Sequence, residues 1–176
     1  AGAHDEPDPD GVSKARLKLL RKQNTAGRGR LVGEHEFRCV HCHTPVSTDP
    51  RLSGVNNRNH CPYCLWSRHL DLRVAGDRLS ACKEPMRPVG LTIKRTLKKY
   101  GNQGELMLVH LCSGCGKISL NRIAADDLAY AINTVFERSL NLEKQLLAHL
   151  ENAGISPLNH ADAHLIARQL DIGLEE

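Results

Sequence analysis

Three Cys-x-x-Cys pairs, at Cys39/Cys42, Cys61/Cys64 and Cys112/Cys115, constrain this chain more than any other feature, because two such pairs suffice to enclose a tetrahedral metal ion. The first two are separated by eighteen residues, and C-x2-C-x18-C-x2-C lies in the spacing range of a structural zinc site. Two thiolates three residues apart on a tight turn span adjacent corners of a tetrahedron. Cys39, Cys42, Cys61 and Cys64 therefore make one complete site, with no coordination position left for an activated water.

The third pair needs partners from elsewhere. Cys82 is the one cysteine outside the pairs, and His110 stands two residues before Cys112 on a segment, Glu105 to Leu111, that reads as a strand. Spacing two places both on one face, so Cys82, His110, Cys112 and Cys115 are the expected second set, giving two zinc ions in all. His41, His43, His60 and His69 stand as possible substitutes, and the spacing admits iron as well as zinc. A set with Cys82 left free would keep an open corner for Lewis-acid chemistry, but no neighbouring carboxylate stands out as its general base.

Aromatic residues make up 3% of the 176, so large core-forming side chains are scarce for this length. Structural zinc contributes about 10–16 kcal/mol in small peptides, enough to replace a poor hydrophobic core, and the central part is expected to unfold without metal. Seven cysteines is an odd number, no signal-peptide pattern opens the chain, and no apolar run approaches about 18 residues. The expected setting is the reducing cytoplasm, with no membrane partner and no disulfides.

Charge is segregated. Against a net +4 for the whole, residues 1–10 hold four acids and no bases and residues 126–176 hold nine acids and three bases, so the stretch between carries +14. A body that basic between acidic ends points to a polyanion, most simply nucleic acid.

The expected fold is small α+β, a zinc-ribbon or zinc-knuckle body with short strands, a basic N-terminal arm and a C-terminal helical hairpin. Residues 1–33 read as a flexible tail and basic arm, 34–125 as the metal-binding domain and 126–176 as a helical segment. In the arm, Ser13 caps a short basic helix carrying Lys14, Arg16, Lys18, Arg21 and Lys22, followed by Arg28 and Arg30; no acid lies between Gly11 and Gly33. Lys94, Arg95, Lys98 and Lys99 form a second basic patch. Farther on, Asp126 or Asp127 is expected to cap one long helix that ends at Gly154. A second helix follows, with Asn159 and Asp162 spaced as a capping pair. The run Asn56 to His60, with Arg58 at its centre, could read phosphates or base edges, or could lock its own loop onto the second Cys pair.

The stretch RNHCPYCLWSRHLD, from Arg58 to Asp71, closely resembles the signature of the RNHCP-domain family. The resemblance extends through FRCVHC at the first pair, Gly76-Asp77-Arg78, Cys82, HLCSGCG from His110 to Gly116 and NRIAADD from Asn121 to Asp127. It implies a small zinc-binding bacterial protein and supplies no enzymatic activity to transfer. The leading expectation is a non-catalytic, zinc-stabilised RNA-binding protein associated with the ribosome, as a structural component or an assembly or stress factor. Its arm, Arg58 and the Lys94–Lys99 patch would lie on ribosomal RNA, with ribosomal proteins as further neighbours and no small-molecule substrate. The alternatives are a protein-interaction adaptor docking through its acidic helices and, more remotely, a nucleic-acid enzyme using the Asn and His residues before Cys61.

Overall fold

A computed structural model of the chain describes residues 36–95 and 104–170. The basic helix and arm, with Lys14, Arg16, Lys18, Arg21, Lys22, Arg28 and Arg30, and the patch residues Lys98 and Lys99 lie outside the described residues. The rest is a small mixed α/β structure built on two antiparallel sheets.

The smaller sheet pairs β1 (Glu36–Arg38) with β2 (Pro45–Ser47) around the first Cys pair. It is followed by α1 (Pro50–Ser53), a single turn capped by the Asp49 side chain and closed by Gly54 in the left-handed region. The larger sheet has the order β3-β4-β5-β6, formed by Ser67–Arg68, Pro85–Lys94, Glu105–Cys112 and Ile118–Arg122. Its central strand β5 matches the strand expected from sequence. Its apolar residues recur without polar alternation because both of its faces are covered. Successive side chains point to opposite faces, and the two clusters divide accordingly. Leu106 and Leu108 pack with Leu65, Leu91, Ile132, Val135, Phe136 and Ile166, whereas Val109 packs with Val89 and Leu150.

That division explains where the C-terminal helices differ from expectation. The long helix is two helices, α2 (Ala129–Ser139) and α3 (Lys144–Asn152), each serving one face of β5. An unbroken helix over this span would be about 36 Å long and could not cover both faces of one sheet. The break falls where Ser139, buried, bonds back to the Phe136 carbonyl and Asn141 follows, both poor helix continuers. Nor do the aspartates cap: Leu128 holds the N-cap position of α2 with no side-chain hydrogen bond. Gly154, at φ 71°, ends α3 as expected, and Asn159 and Asp162 form a reciprocal capping box before α4 (Ala163–Gln169). The helices thus share a core with the metal-binding part. Among the described residues, no helix is long and apolar enough to cross a membrane.

Candidate metal centres

All three Cys-x-x-Cys turns are built alike. In each, the amide of the first cysteine donates to the carbonyl five residues on: Cys39 to Thr44 at 3.0 Å, Cys61 to Trp66 at 2.9 Å and Cys112 to Lys117 at 2.9 Å. The residue after the second cysteine is left-handed in each, at His43 (φ 60°), Leu65 (φ 60°) and Gly116 (φ 72°). Only the third uses glycine. For Leu65 this conformation costs about 1–2 kcal/mol, which its complete burial offsets. Amides two and three residues on point at the first sulfur of each turn, from His41 and Cys42, from Tyr63 and Cys64, and from Gly114 and Cys115. Such donors favour thiolate over thiol.

The first two turns bring four sulfurs together. Cys39 Sγ lies 3.5 Å from Cys64 Sγ, and Cys42 Sγ lies 3.6 Å from both Cys61 and Cys64. A tetrahedral ion with metal–sulfur bonds of about 2.3 Å holds its sulfurs about 3.8 Å apart, so the cluster is already near that size, and none of its cysteines is disulfide-bonded. The hydrogen bond from Cys64 draws the Cys61 thiol down to about 5, while the same contact together with burial pushes Cys64 up. Four sulfurs this close cannot all ionise without a cation among them. Two of the three buried residues of this region's hydrophobic cluster, Cys39, Val46 and Cys61, belong to this sulfur cluster, so an ion held there would join the local packing.

The second cluster is His69, Cys82, Cys112 and Cys115, with ligand atoms all within 4.8 Å of one another. Cys82 behaves as half of a Cys-x-x-Cys turn. Lys83 after it is left-handed (φ 57°), and the Glu84 amide points at its sulfur, as Thr44 and Trp66 do for Cys42 and Cys64. Leu79 occupies the place of the missing first cysteine. Its ligand is replaced by His69, just beyond β3, whose Nδ1 stands 3.4 Å from Cys115 Sγ. A sulfur and a nitrogen sharing one tetrahedral ion sit about 3.5 Å apart. Burial, and the Lys117 ammonium, hold the His69 pKa below its ordinary value, so the ring keeps a free lone pair. The turn at Cys112 closes onto Cys82 through Gly114: a Cβ there would stand 2.5 Å from Glu84 Cγ and 3.4 Å from Cys82 Sγ.

His110, the expected fourth ligand, is not in this cluster. It is fully buried, and both ring nitrogens are engaged: the Asn121 amide donates to Nδ1 at 2.8 Å, and Nε2 donates to the Leu65 carbonyl at 2.6 Å. Burial drives its pKa down to about 3, so it stays neutral with no lone pair left for an ion. His110 instead holds the left-handed Leu65 turn against β5. The signal that could have found His69 was the alternation of Ser67, Arg68 and His69, in which Ser67 and His69 point inward and Arg68 outward.

Arg58 is a second correction, because its side chain is fully buried rather than available to phosphates. Its guanidinium reaches both oxygens of Asp126 at 2.6 Å, Asp127 at 2.9 Å and the His60 carbonyl at 3.0 Å. His60 Nε2 meets Asp127 at 2.8 Å, and the Asp127 carboxylate, whose side chain is fully buried, also accepts the Ala124 amide. Pro62 accepts the Leu128 amide at 3.0 Å. The run from Arg58 to Pro62 and the run ending in Asp126-Asp127 are thus two halves of one lock that joins the second turn to the start of α2. The expected aspartate caps are ligands of Arg58 instead.

Gly76-Asp77-Arg78 organises the loop behind the second cluster. Burial pushes the Asp77 carboxyl up, but amides of Val74, Arg73, Leu72 and Leu79 outweigh it and hold the pKa at about 2. Asp71 accepts the Gly76 and Arg78 amides from the other side.

The arrangement of these motifs agrees with a match of residues 34–133 to the RNHCP domain, which spans more than half of the chain. The chain belongs to the RNHCP-domain family. The residues that name the RNHCP domain therefore carry structural tasks here: Arg58 and His60 in the buried lock, Cys61 in the first cluster, and Pro62 as an acceptor for α2. Neither curated proteins nor solved structures gave a match.

Proposed function

We propose that this RNHCP-domain protein is a non-catalytic, zinc-stabilised RNA-binding protein that works on the ribosome. Zinc is the ion both donor sets favour, since four thiolates, or three thiolates and one imidazole, at tetrahedral separations are its structural coordination chemistry. Each set supplies four protein ligands, which leaves no corner for a substrate or an activated water. The His60–Asp127 pair, which could have served as an acid–base couple, is buried and engaged with Arg58. These features support a zinc-knuckle scaffold rather than an enzyme.

The observation that carries the RNA reading is the charge distribution: +14 between residues 11 and 125, with seven bases and no acid from Gly11 to Gly33. Lys94 and Arg95, exposed at the end of β4, extend that charge onto the body. Contacts of this kind neutralise phosphates and weaken steeply as salt rises. The test is sedimentation of the native protein from lysate through a density gradient, at low and high salt, with and without ribonuclease. Comigration with ribosomal particles, lost on ribonuclease or salt treatment, is expected. A small free species at every salt would overturn the proposal, and a large complex that survives ribonuclease would favour a protein adaptor.

A further inference from the structure

A groove of about 520 Å³ runs between the first metal centre and α2, within the range of about 300–1,000 Å³ typical of ligand sites. Its walls concentrate what the rest of the molecule lacks. Of the six Phe, Trp and Tyr residues in the chain, three line it: Tyr63, Trp66 and Tyr130. Tyr130 is 81% exposed and Tyr63 52%, although neither packs into a core cluster that would explain an aromatic ring there. His41 lies flat on Trp66, with ring centroids 4.4 Å apart and planes 6° from parallel, so the stack presents an outer imidazole face. Arg87 of β4 and Arg138 of α2 line the groove as well; both are exposed and have no ion-pair partner among the described residues. Glu143 is the acid on this wall.

Exposed π faces and guanidinium groups on the walls of one groove suit a ligand that carries both flat rings and phosphates. Bases in a duplex are already stacked on each other, so only an unpaired segment can offer its rings. We infer that this groove binds single-stranded RNA, with bases stacked on Tyr63, Tyr130 and the His41–Trp66 pair and phosphates held by Arg87 and Arg138. The inference rests on the RNA reading above and assigns it a site separate from the basic arm. The arm supplies charge without discrimination; the groove selects unpaired over paired RNA.

Trp66 is the sole tryptophan, so its fluorescence reports on the groove directly. The metal-loaded full chain is titrated with an unstructured 12-nucleotide RNA, with the same sequence as a duplex and with its DNA equivalent, while binding is followed in parallel by anisotropy of labelled RNA. Quenching of Trp66 by the single strand, at least about tenfold weaker for Tyr63→Ala/Tyr130→Ala and restored by Tyr63→Phe/Tyr130→Phe, is the expected result. Charge reversal at Lys14, Arg16, Lys18, Arg21 and Lys22 should lower affinity for single strand and duplex alike and leave the quenching at saturation unchanged. If the double alanine variant binds as tightly as wild type while the arm variant does not, the groove inference fails and the RNA reading stands. If wild type binds none of the three nucleic acids, both fail. Equal affinity for the DNA single strand would overturn the assignment to RNA, and quenching by a proline-rich peptide without quenching by RNA would make the groove a peptide site.

Discussion

The first metal centre takes its four cysteines from two neighbouring turns between residues 39 and 64, whereas the second collects a histidine beyond β3, a cysteine from a loop and a pair at the end of β5, between residues 69 and 115. The first stands on a two-stranded sheet of three-residue strands, and its hydrophobic cluster consists largely of its own ligands. The second is anchored to the four-stranded sheet, which has helices on both faces. The first centre takes the place of a core; the second fastens a loop to a core that exists without it. Dependence on metal should therefore differ between the two regions.

The largest expected effect is the response to chelation. Structural zinc contributes about 10–16 kcal/mol in small domains, and β1, β2 and the first turn have little else to hold them, whereas the second turn is also held by Leu65 in the main core and by the Arg58 lock. Hydrogen exchange after metal removal should show residues 36–47 losing protection first, with β4 and β5 retaining it longest. Simultaneous loss across both regions would dissolve the distinction.

Next in size is the ligand assignment at the second centre. His69→Ala should reduce bound metal from two equivalents to about one with β5 still folded, and His69→Cys should restore two. His110→Ala should keep two equivalents while lowering stability, because it orphans the Leu65 carbonyl and the Asn121 amide. Elemental analysis of the purified variants decides; one equivalent in His110→Ala with two in His69→Ala would reverse the assignment.

The lock between the regions ranks third. Arg58→Ala leaves Asp127 buried without its main cation and should cost about 3–5 kcal/mol in denaturant unfolding. Arg58→Lys should rescue little, since a single ammonium cannot reach Asp126, Asp127 and the His60 carbonyl together. A loss under about 1 kcal/mol would show that the second turn holds α2 without it.

The smallest effect lies in the loop behind the second centre. The Asp77 carboxyl is lowered from 3.8 to about 2, which corresponds to roughly 2 kcal/mol of folding stability at neutral pH. Because the folded value lies below the unfolded one, this contribution is complete above about pH 4 and disappears as pH falls towards 2. Asp77→Asn should therefore be less stable by about that amount at pH 7, with the gap narrowing through the same window, as followed by urea unfolding. A gap unchanged from pH 7 to 3 would remove the charge from the explanation.

The features legible in the amino-acid sequence share one property: their partners are close along the chain. The Cys39–Cys64 set, the β5 strand, the Gly154 stop and the Asn159–Asp162 capping box all follow from spacings that the chain imposes on itself over a few residues or through one repeated turn. The left-handed His43 and Leu65 were not legible, because only Gly116 shows the residue type that such a turn favours.

Residue spacing was enough to establish that two metal clusters could form and that one of them was Cys39, Cys42, Cys61 and Cys64, since ligand placement along a tight turn is local geometry. Three outcomes needed the assembled fold: His69 rather than His110 completes the second cluster, Arg58 faces Asp126 and Asp127 rather than solvent, and the long C-terminal helix breaks at Ser139. Each depends on which groups are already engaged, or which surfaces already covered, by residues distant in the chain. A ring nitrogen that donates to Leu65 cannot also bind an ion, and a helix cannot cover both faces of β5 without turning.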